Sequence, residues 1–568
     1  MGSLPGAGSP AHAASRVSRG AGTARSPDSG RDATSRAPSA TAPRPDWRRA
    51  IVYTHRWLGI AGSLLFMAWF VSGIVLMYAG MPSLTAEERF ARLPELDLSS
   101  ARVPLAAAAV AAGGVPDRTL VGMVGDRPAY RFWRLGRWIT VFADTGVHLD
   151  HLTPRQATAL ARQYAPENAA SLRHETRMTA PDQWTLQSRE FMPLHRIALG
   201  DADDTRIYIS DRTGEPVMKT TRTGRRLAYA GAVLHWFYFT PFRRHTTVWI
   251  QSVIWISIVG CVLTLSGLLW GVWRISPGLR YRLRIRGRSP TPYDGLMRWH
   301  HYAGLVFGFT TFTWVLSGCL SLDPFGWHPG TAPTPEQRAA VRGNPLRLEG
   351  IGLNELRSGA GVIRASFVPK ELEVVPFRGR GYLLARRPRS FEESARARAP
   401  YRPPDDPAWV PAFEQRLVPA QAPDPQAFVR FDDAAVLDVA RLAMPRSSIT
   451  DASWLEAYDA YYYDRTGARP LPVLRVRYDD PQETWLYLDP FRGAIARKEE
   501  RLTRVNRWLY HGLHSLDFPF LYDRRPLWDA VVIMLSIGGL ALSMTSLAQA
   551  WQRLRRHGRR LLGSRRRG

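Results

Sequence analysis

Hydrophobic and polar positions fall into two regimes along this chain. Four nearly charge-free apolar stretches, about Trp57 to Gly80, Thr247 to Trp273, Tyr302 to Leu322 and Leu527 to Trp551, are each long enough to cross roughly 30 Å of hydrocarbon as a helix. Between them the pattern changes to short periodic runs. Apolar positions recur at helical spacing in Pro154 to Tyr164 and Asp433 to Ala443. Alternation of β-branched or aromatic residues ending in Asp and Gly marks a strand and tight turn in Ile207 to Gly214 and in Leu486 to Gly493, with a weaker copy in Ile139 to Gly146. The expected fold class is therefore membrane α-helical, with a four-helix transmembrane bundle and external α+β domains.

Charge then orients the bundle. Among 568 residues the formal net charge is +27. Arg44, Arg48, Arg49 and Arg56 precede the first apolar stretch. Arg274, Arg280, Arg282, Arg284, Arg286 and Arg288 follow the second, Arg298 precedes the third, and Arg553, Arg555, Arg556, Arg559 and Arg560 follow the fourth. If the helices alternate in direction, all these clusters share one face, which the distribution of Lys and Arg assigns to the cytoplasm. Topology accounts for the basic excess, and no nucleic-acid partner is expected. The expected organisation is a disordered Ser/Ala/Gly/Pro/Arg-rich tail 1–45, a first membrane helix 46–80, an external region 81–246, a second helix 247–273, and a basic cytoplasmic loop 274–299. A third helix 300–322, a second external region 323–526, a fourth helix 527–551 and a basic tail 552–568 complete it. The tail lacks an apolar core with a cleavage site, so the first membrane helix is the expected insertion signal. The two cysteines, Cys261 and Cys319, lie in apolar runs and can build neither a disulfide framework nor a thiolate metal site.

The chain also repeats itself. His55-Arg-Trp-Leu-Gly59, followed by Trp69 and Ser72-Gly73, matches His300-His-Tyr-Ala-Gly304, followed by Trp314 and Ser317-Gly318, at a constant offset of 245. Leu234-His235 matches Leu513-His514, and Trp249 matches Trp528, at an offset of 279. Each half thus reads as helix, external domain, helix. The Ser-Gly pairs, including Ser266-Gly267, are read as small-residue sites that let membrane helices pack closely.

This order, HRWLG with a helix ending in Ser-Gly, then an Asp-to-Gly turn and a histidine-bearing entry to the next helix, resembles the PepSY-associated transmembrane family of bacteria, in both halves and over most of residues 47–551. His301 stands where the first half has Arg56, and the tail and the stretch 385–425 have no counterpart. The resemblance implies PepSY-like external domains, a bacterial inner-membrane location and a redox role. Some members of that family are haem-containing reductases that release iron from ferric siderophores.

Six of the fourteen histidines gather at membrane boundaries. His55, His300 and His301 lie at the cytoplasmic ends of the first and third helices, and His235, His511 and His514 just before the second and fourth. Two imidazoles on facing helices give a low-spin haem suited to electron transfer. Repetition offers His55 with His300 as an inner pair and His235 with His514 as an outer one, for two haem b groups. His301 could replace His300, and His511 could replace His514. An interfacial histidine is also an ordinary amphipathic anchor. Arg56, Arg243, Arg244, Arg298 and Arg507 could meet haem propionates or merely snorkel. Trp69 and Trp314 could pack or carry electrons, Asp517 and Asp523 could relay protons, His245 could approach the outer site, and His195 is expected to be structural. No dinucleotide or flavin motif occurs, so electrons would come from quinol or a cytoplasmic reductase. The expected function is a two-haem reductase serving an external acceptor such as a ferric siderophore. The rivals are a cofactor-free binding or regulatory protein and an electron-transfer subunit of another oxidoreductase.

Overall fold

The structure is a computed structural model, which describes residues 46–283, 287–343, 346–388, 413–464 and 469–564, with side chains to 556. The tail 1–45, residues 389–412 of the stretch without a counterpart, and Arg284 and Arg286 of the basic loop lie outside the described residues. Four described helices are long and apolar enough to cross a membrane: Trp47–Leu76, Thr246–Arg274, Gly295–Leu320 and Leu527–Arg556. The last belongs to a helix that continues to Ser564. Apolar content marks only the hydrocarbon-facing part of a helix, whereas backbone hydrogen bonding carries it into the polar boundary. Hence the first helix begins at Trp47 rather than Trp57, the third begins at Gly295, and His55, His300 and His301 lie inside helices. The first helix also stops at Leu76, four residues short of Gly80.

The helices at Pro154–Tyr164 and Asp433–Ala443 form where their periodicity placed them. Thr153 and Gln156 close a reciprocal capping box on the former, and Asp432 accepts from the Ala434 and Ala435 amides on the latter. Each helix is followed by a four-stranded antiparallel meander. The first is Arg173–Met178, Leu194–Ala198, Arg206–Ser210 and Pro216–Thr220, and the second Ile449–Leu455, Val473–Tyr478, Trp485–Asp489 and Ala494–Glu499. The Asp-to-Gly turns end on Gly214 and Gly493, both with positive φ. A Cβ at Gly214 would strike Val124, and one at Gly493 would strike Phe377, so only glycine lets these turns seat against the neighbouring sheet.

That neighbouring sheet joins the regions 81–246 and 323–526. Its six strands are Phe413–Pro419, Arg380–Pro388, Leu372–Phe377, Arg118–Val124, Arg127–Arg134 and Arg137–Phe142, in that order, so three come from each region. The seam is antiparallel, with Thr119 opposite Val374 and Val121 opposite Leu372. Helices Leu105–Ala111 and Leu353–Arg364, one from each region, bury Leu105, Ala108, Leu356 and Ile363 in a core shared with Val121, Phe132, Val374 and Leu383. Arg89 ties the seam further, with guanidinium nitrogen 2.6 Å from both Glu215 and Glu371. Burial pushes the Glu371 carboxyl up, but Arg89 overcomes it and holds the group below the ordinary carboxylate range.

Candidate functional site

The two halves place their histidines by the same local devices. After each four-stranded meander comes a helix, Arg222–Ala228 or Arg501–Arg507, which widens into a π-turn at Tyr229–Val233 or Trp508–Gly512. A three-residue helix follows, Leu234–Trp236 or Leu513–Ser515, and ends on a residue with positive φ, Phe237 or Leu516. His235 and His514 therefore do not begin the second and fourth long helices. They sit on separate short segments that the left-handed residue turns away from the membrane helix. Trp249 and Trp528 pin these segments, donating from Nε1 to the carbonyls of Trp236 and Ser515, at 2.9 Å in each case. π-turns of this kind concentrate at functional sites because they re-aim side chains.

The pinned segments bring His235 against His514, with ring centroids 6.1 Å apart. Each Nδ1 is held from the facing long helix: His235 by Ser72 Oγ at 3.1 Å, and His514 by Ser317 Oγ and the Trp314 carbonyl, both at 3.1 Å. Gly73 and Gly318, the next residues, face the Cε1 edges of the same two rings, where a Cβ would lie 3.4 and 3.5 Å away.

The other pair is assembled likewise. His55 and His300 have ring centroids 6.2 Å apart. His55 Nδ1 bonds the Leu263 carbonyl at 3.0 Å, and His300 Nδ1 bonds Thr545 Oγ1 at 3.0 Å. Thr545 lies 279 positions after Ser266, the same offset that separates His514 from His235. A Cβ on Gly267 would overlap the His55 imidazole. The Ser-Gly pairs, read from sequence as helix-packing sites, thus serve to seat imidazoles. The sequence signal was their constant spacing relative to the histidines in both halves.

His301 has both ring nitrogens engaged, Nδ1 with Thr291 Oγ1 at 2.8 Å and Nε2 with the Gly271 carbonyl at 2.9 Å. It supports the turn between the second and third long helices. His511 lies in the π-turn beside Tyr510 and Tyr463, with centroids 4.5 and 6.4 Å away. His245 is exposed at the start of the second long helix. Arg243 stacks on Tyr238 and Trp249, and Arg244 donates to the Pro181 carbonyl. Arg298 approaches Tyr302, and Arg56 lies over Tyr53. Arg507 is buried, donating to the carbonyls of Ala460 and Asp517. Asp517 also accepts from the Tyr463 hydroxyl at 2.7 Å, and Asp523 caps the short helix Pro519–Tyr522. Trp69 and Trp314 join Phe66, Phe70, Leu263 and Val315 in an apolar layer within the bundle. The Trp314 Nε1 there is buried and has no hydrogen-bond partner among the described residues. His195 is fully buried between His174 (2.9 Å) and Asp211 (2.7 Å), on the strand Leu194–Ala198.

An imidazole nitrogen–metal bond is about 2 Å and the ring centre lies about 1.1 Å behind that nitrogen, so a metal gripped between two imidazoles sets the centroids about 6 Å apart. Both pairs meet that spacing, and all four rings have Nδ1 bonded to a protein oxygen, the orienting contact usual for a metal-bound histidine. Among the described residues no group of three or more His, Cys, Asp or Glu could hold a bare ion. Two-ligand sites suit a metal that brings its own equatorial ligands, as haem iron does. No family model matches the chain, and a search of curated proteins returns no match.

Proposed function

We propose that the chain is a haem-bearing, multi-pass protein of a bacterial inner membrane that passes electrons to an external acceptor, with both termini in the cytoplasm. The observation that carries this reading is the recurrence of one imidazole pair, at haem-compatible spacing and with Nδ1 anchored, at two levels of the bundle. His55 and His300 would hold one haem b, and His235 and His514 the other. Haem iron supplies reversible one-electron chemistry. The protein's own contribution is orientation: Leu263 and Thr545 at one level, and Ser72, Trp314 and Ser317 at the other, lock the imidazole planes and tautomers. The two levels are separated on the first helix by the residues from His55 to Ser72, about 25 Å at 1.5 Å per residue, which sets them towards opposite faces of a bilayer. The apolar layer containing Phe66, Phe70, Trp69 and Trp314 lies in the bundle. We read the two halves as tandem repeats and the external regions as PepSY-like. The acceptor we favour is a ferric siderophore, supplied with electrons from quinol or a cytoplasmic reductase.

The test is an absorption spectrum of the purified full chain, oxidised and then reduced with dithionite, with a pyridine haemochrome assay against protein concentration. Low-spin b-type bands and a ratio approaching two per chain are expected. A ratio near one would make one pair structural. A colourless protein that takes up no haem would leave a binding or regulatory membrane protein as the reading.

A further inference from the structure

A cleft of about 530 Å³ opens in the first external region, between the Arg127–Arg134/Arg137–Phe142 hairpin and the start of the neighbouring meander. Its lining includes Arg134, Arg137, Arg177 and Arg212, with His148 and a single carboxylate, Asp150. The hairpin turns through Leu135 and Gly136, both with positive φ, and so sets Arg134 and Arg137 directly opposite each other across the two strands. Like charges in that relation repel. Among the described residues neither guanidinium has an ion pair or a hydrogen bond to relieve the repulsion.

The other two arginines are fixed from behind. Arg177 is bonded to Asp211, Nε to Oδ2 at 2.8 Å, and Asp211 is itself fully buried and held by His195 and the Leu152 amide. Arg212 donates from Nε to the Met192 carbonyl. Gly113 lines the same cleft, and a Cβ on it would lie 3.0 Å from Arg134 Nη1, so the missing side chain leaves room for that guanidinium. Asp211 neutralises Arg177, and Asp150 offsets one further charge. The excess positive charge in a concave wall then has no protein counter-ion among the described residues.

We infer that this cleft binds a small polyanion, carrying two or more carboxylate or phosphate groups, which bridges Arg134 and Arg137 and reaches Arg212. Guanidinium groups recognise both kinds of oxyanion through paired N–H donors, and pairs of them select multiply charged ligands over single charges. The site is independent of electron transfer, because none of its residues belongs to either histidine pair, and its binding is read without any redox step.

The experiment is isothermal titration calorimetry of the detergent-solubilised full chain at low ionic strength, with citrate, pyrophosphate and acetate as separate probes. Saturable binding of citrate or pyrophosphate, with acetate at least about tenfold weaker, is expected. The tighter of the two polyanions identifies carboxylate or phosphate as the natural group. The variants Arg134→Gln and Arg137→Gln should each weaken binding about tenfold or more, and the retained haem spectrum or circular dichroism certifies folding. Arg387→Gln, on a strand of the six-stranded sheet outside the cleft lining, should leave it unchanged. Absence of saturable binding, equal binding of acetate, or polyanion binding indifferent to Arg134 and Arg137 would overturn the inference.

Discussion

Ser317 Oγ and the Trp314 carbonyl share the task of holding His514 Nδ1, so the two contributions can be separated by substitution. Ser317→Ala removes the hydroxyl and keeps the carbonyl. Loss of one such orienting bond lowers metal-site affinity about 10–100-fold, so the outer haem should be retained less well while the inner one persists. His514→Ala should eliminate the outer low-spin signal and cut reduction of an external acceptor sharply. His55→Ala should do the reverse: the outer signal remains, and an added external reductant still reaches it, but the cytoplasmic donor does not. Haem content and dithionite difference spectra of the three variants decide the matter. A silent His514→Ala beside a damaging His511→Ala would transfer the ligand role to His511. At this scale the histidine pairs were legible in the sequence, because their offsets of 245 and 279 are constant. The double engagement of His301 was not, since its partners, Thr291 and Gly271, come from a turn and a helix that only folding brings together.

The seam of the six-stranded sheet is the element on which the regions 81–246 and 323–526 depend on each other. Glu371 is buried there and its partner Arg89 comes from the other region. Removing one partner of a buried ion pair typically costs 3–5 kcal/mol. Glu371→Gln should fall at the lower end, about 3 kcal/mol, because Arg89 keeps Glu215. The sign with pH follows from the depressed carboxyl of Glu371. Its stabilisation is complete above the ordinary value of 4.5 and is lost as pH falls through the lower folded value. Chemical denaturation of wild type and variant should therefore diverge at neutral pH and converge in acid. A constant difference at all pH values would mean that packing rather than charge is responsible. The individual strands were legible from alternation, as Ile207 to Gly214 and Leu486 to Gly493 show. Their assembly was not, because pairing Thr119 with Val374 joins segments that are remote in sequence, and alternation carries no information about which edge a strand finds.

At the level of the whole molecule, the arginine distribution and the four long helices make one arrangement testable. A reporter fused after Gly350, between the third and fourth membrane helices, should be active only in a form that works outside the cytoplasm. One inserted after Gly278, between the second and third, should be active only in a form that works inside. A cytoplasmic signal at Gly350 would reverse the orientation and with it the inner and outer labels of the two histidine pairs. The shared sheet adds a consequence that separate domains would not have. Residues 81–246 expressed without 323–526 would expose the edge of strand Arg118–Val124 and lose half of the core around Val121, so the two regions are expected to fold together.

The sequence by itself determined the four apolar helices, the short helices and strands with strong local periodicity, and which histidines come together in pairs. These follow from composition and spacing along one segment, where hydrophobic transfer and backbone hydrogen bonding act locally. Only the tertiary structure decided that His235 and His514 ride on separate segments beyond a π-turn, and that Ser72, Ser317, Leu263 and Thr545 hold the imidazoles. It also decided that the regions 81–246 and 323–526 close a single sheet, and that Arg134, Arg137, Arg177 and Arg212 converge on one cleft. Those outcomes depend on which surfaces meet across hundreds of residues, a choice made by packing and charge pairing between segments rather than by any pattern within one.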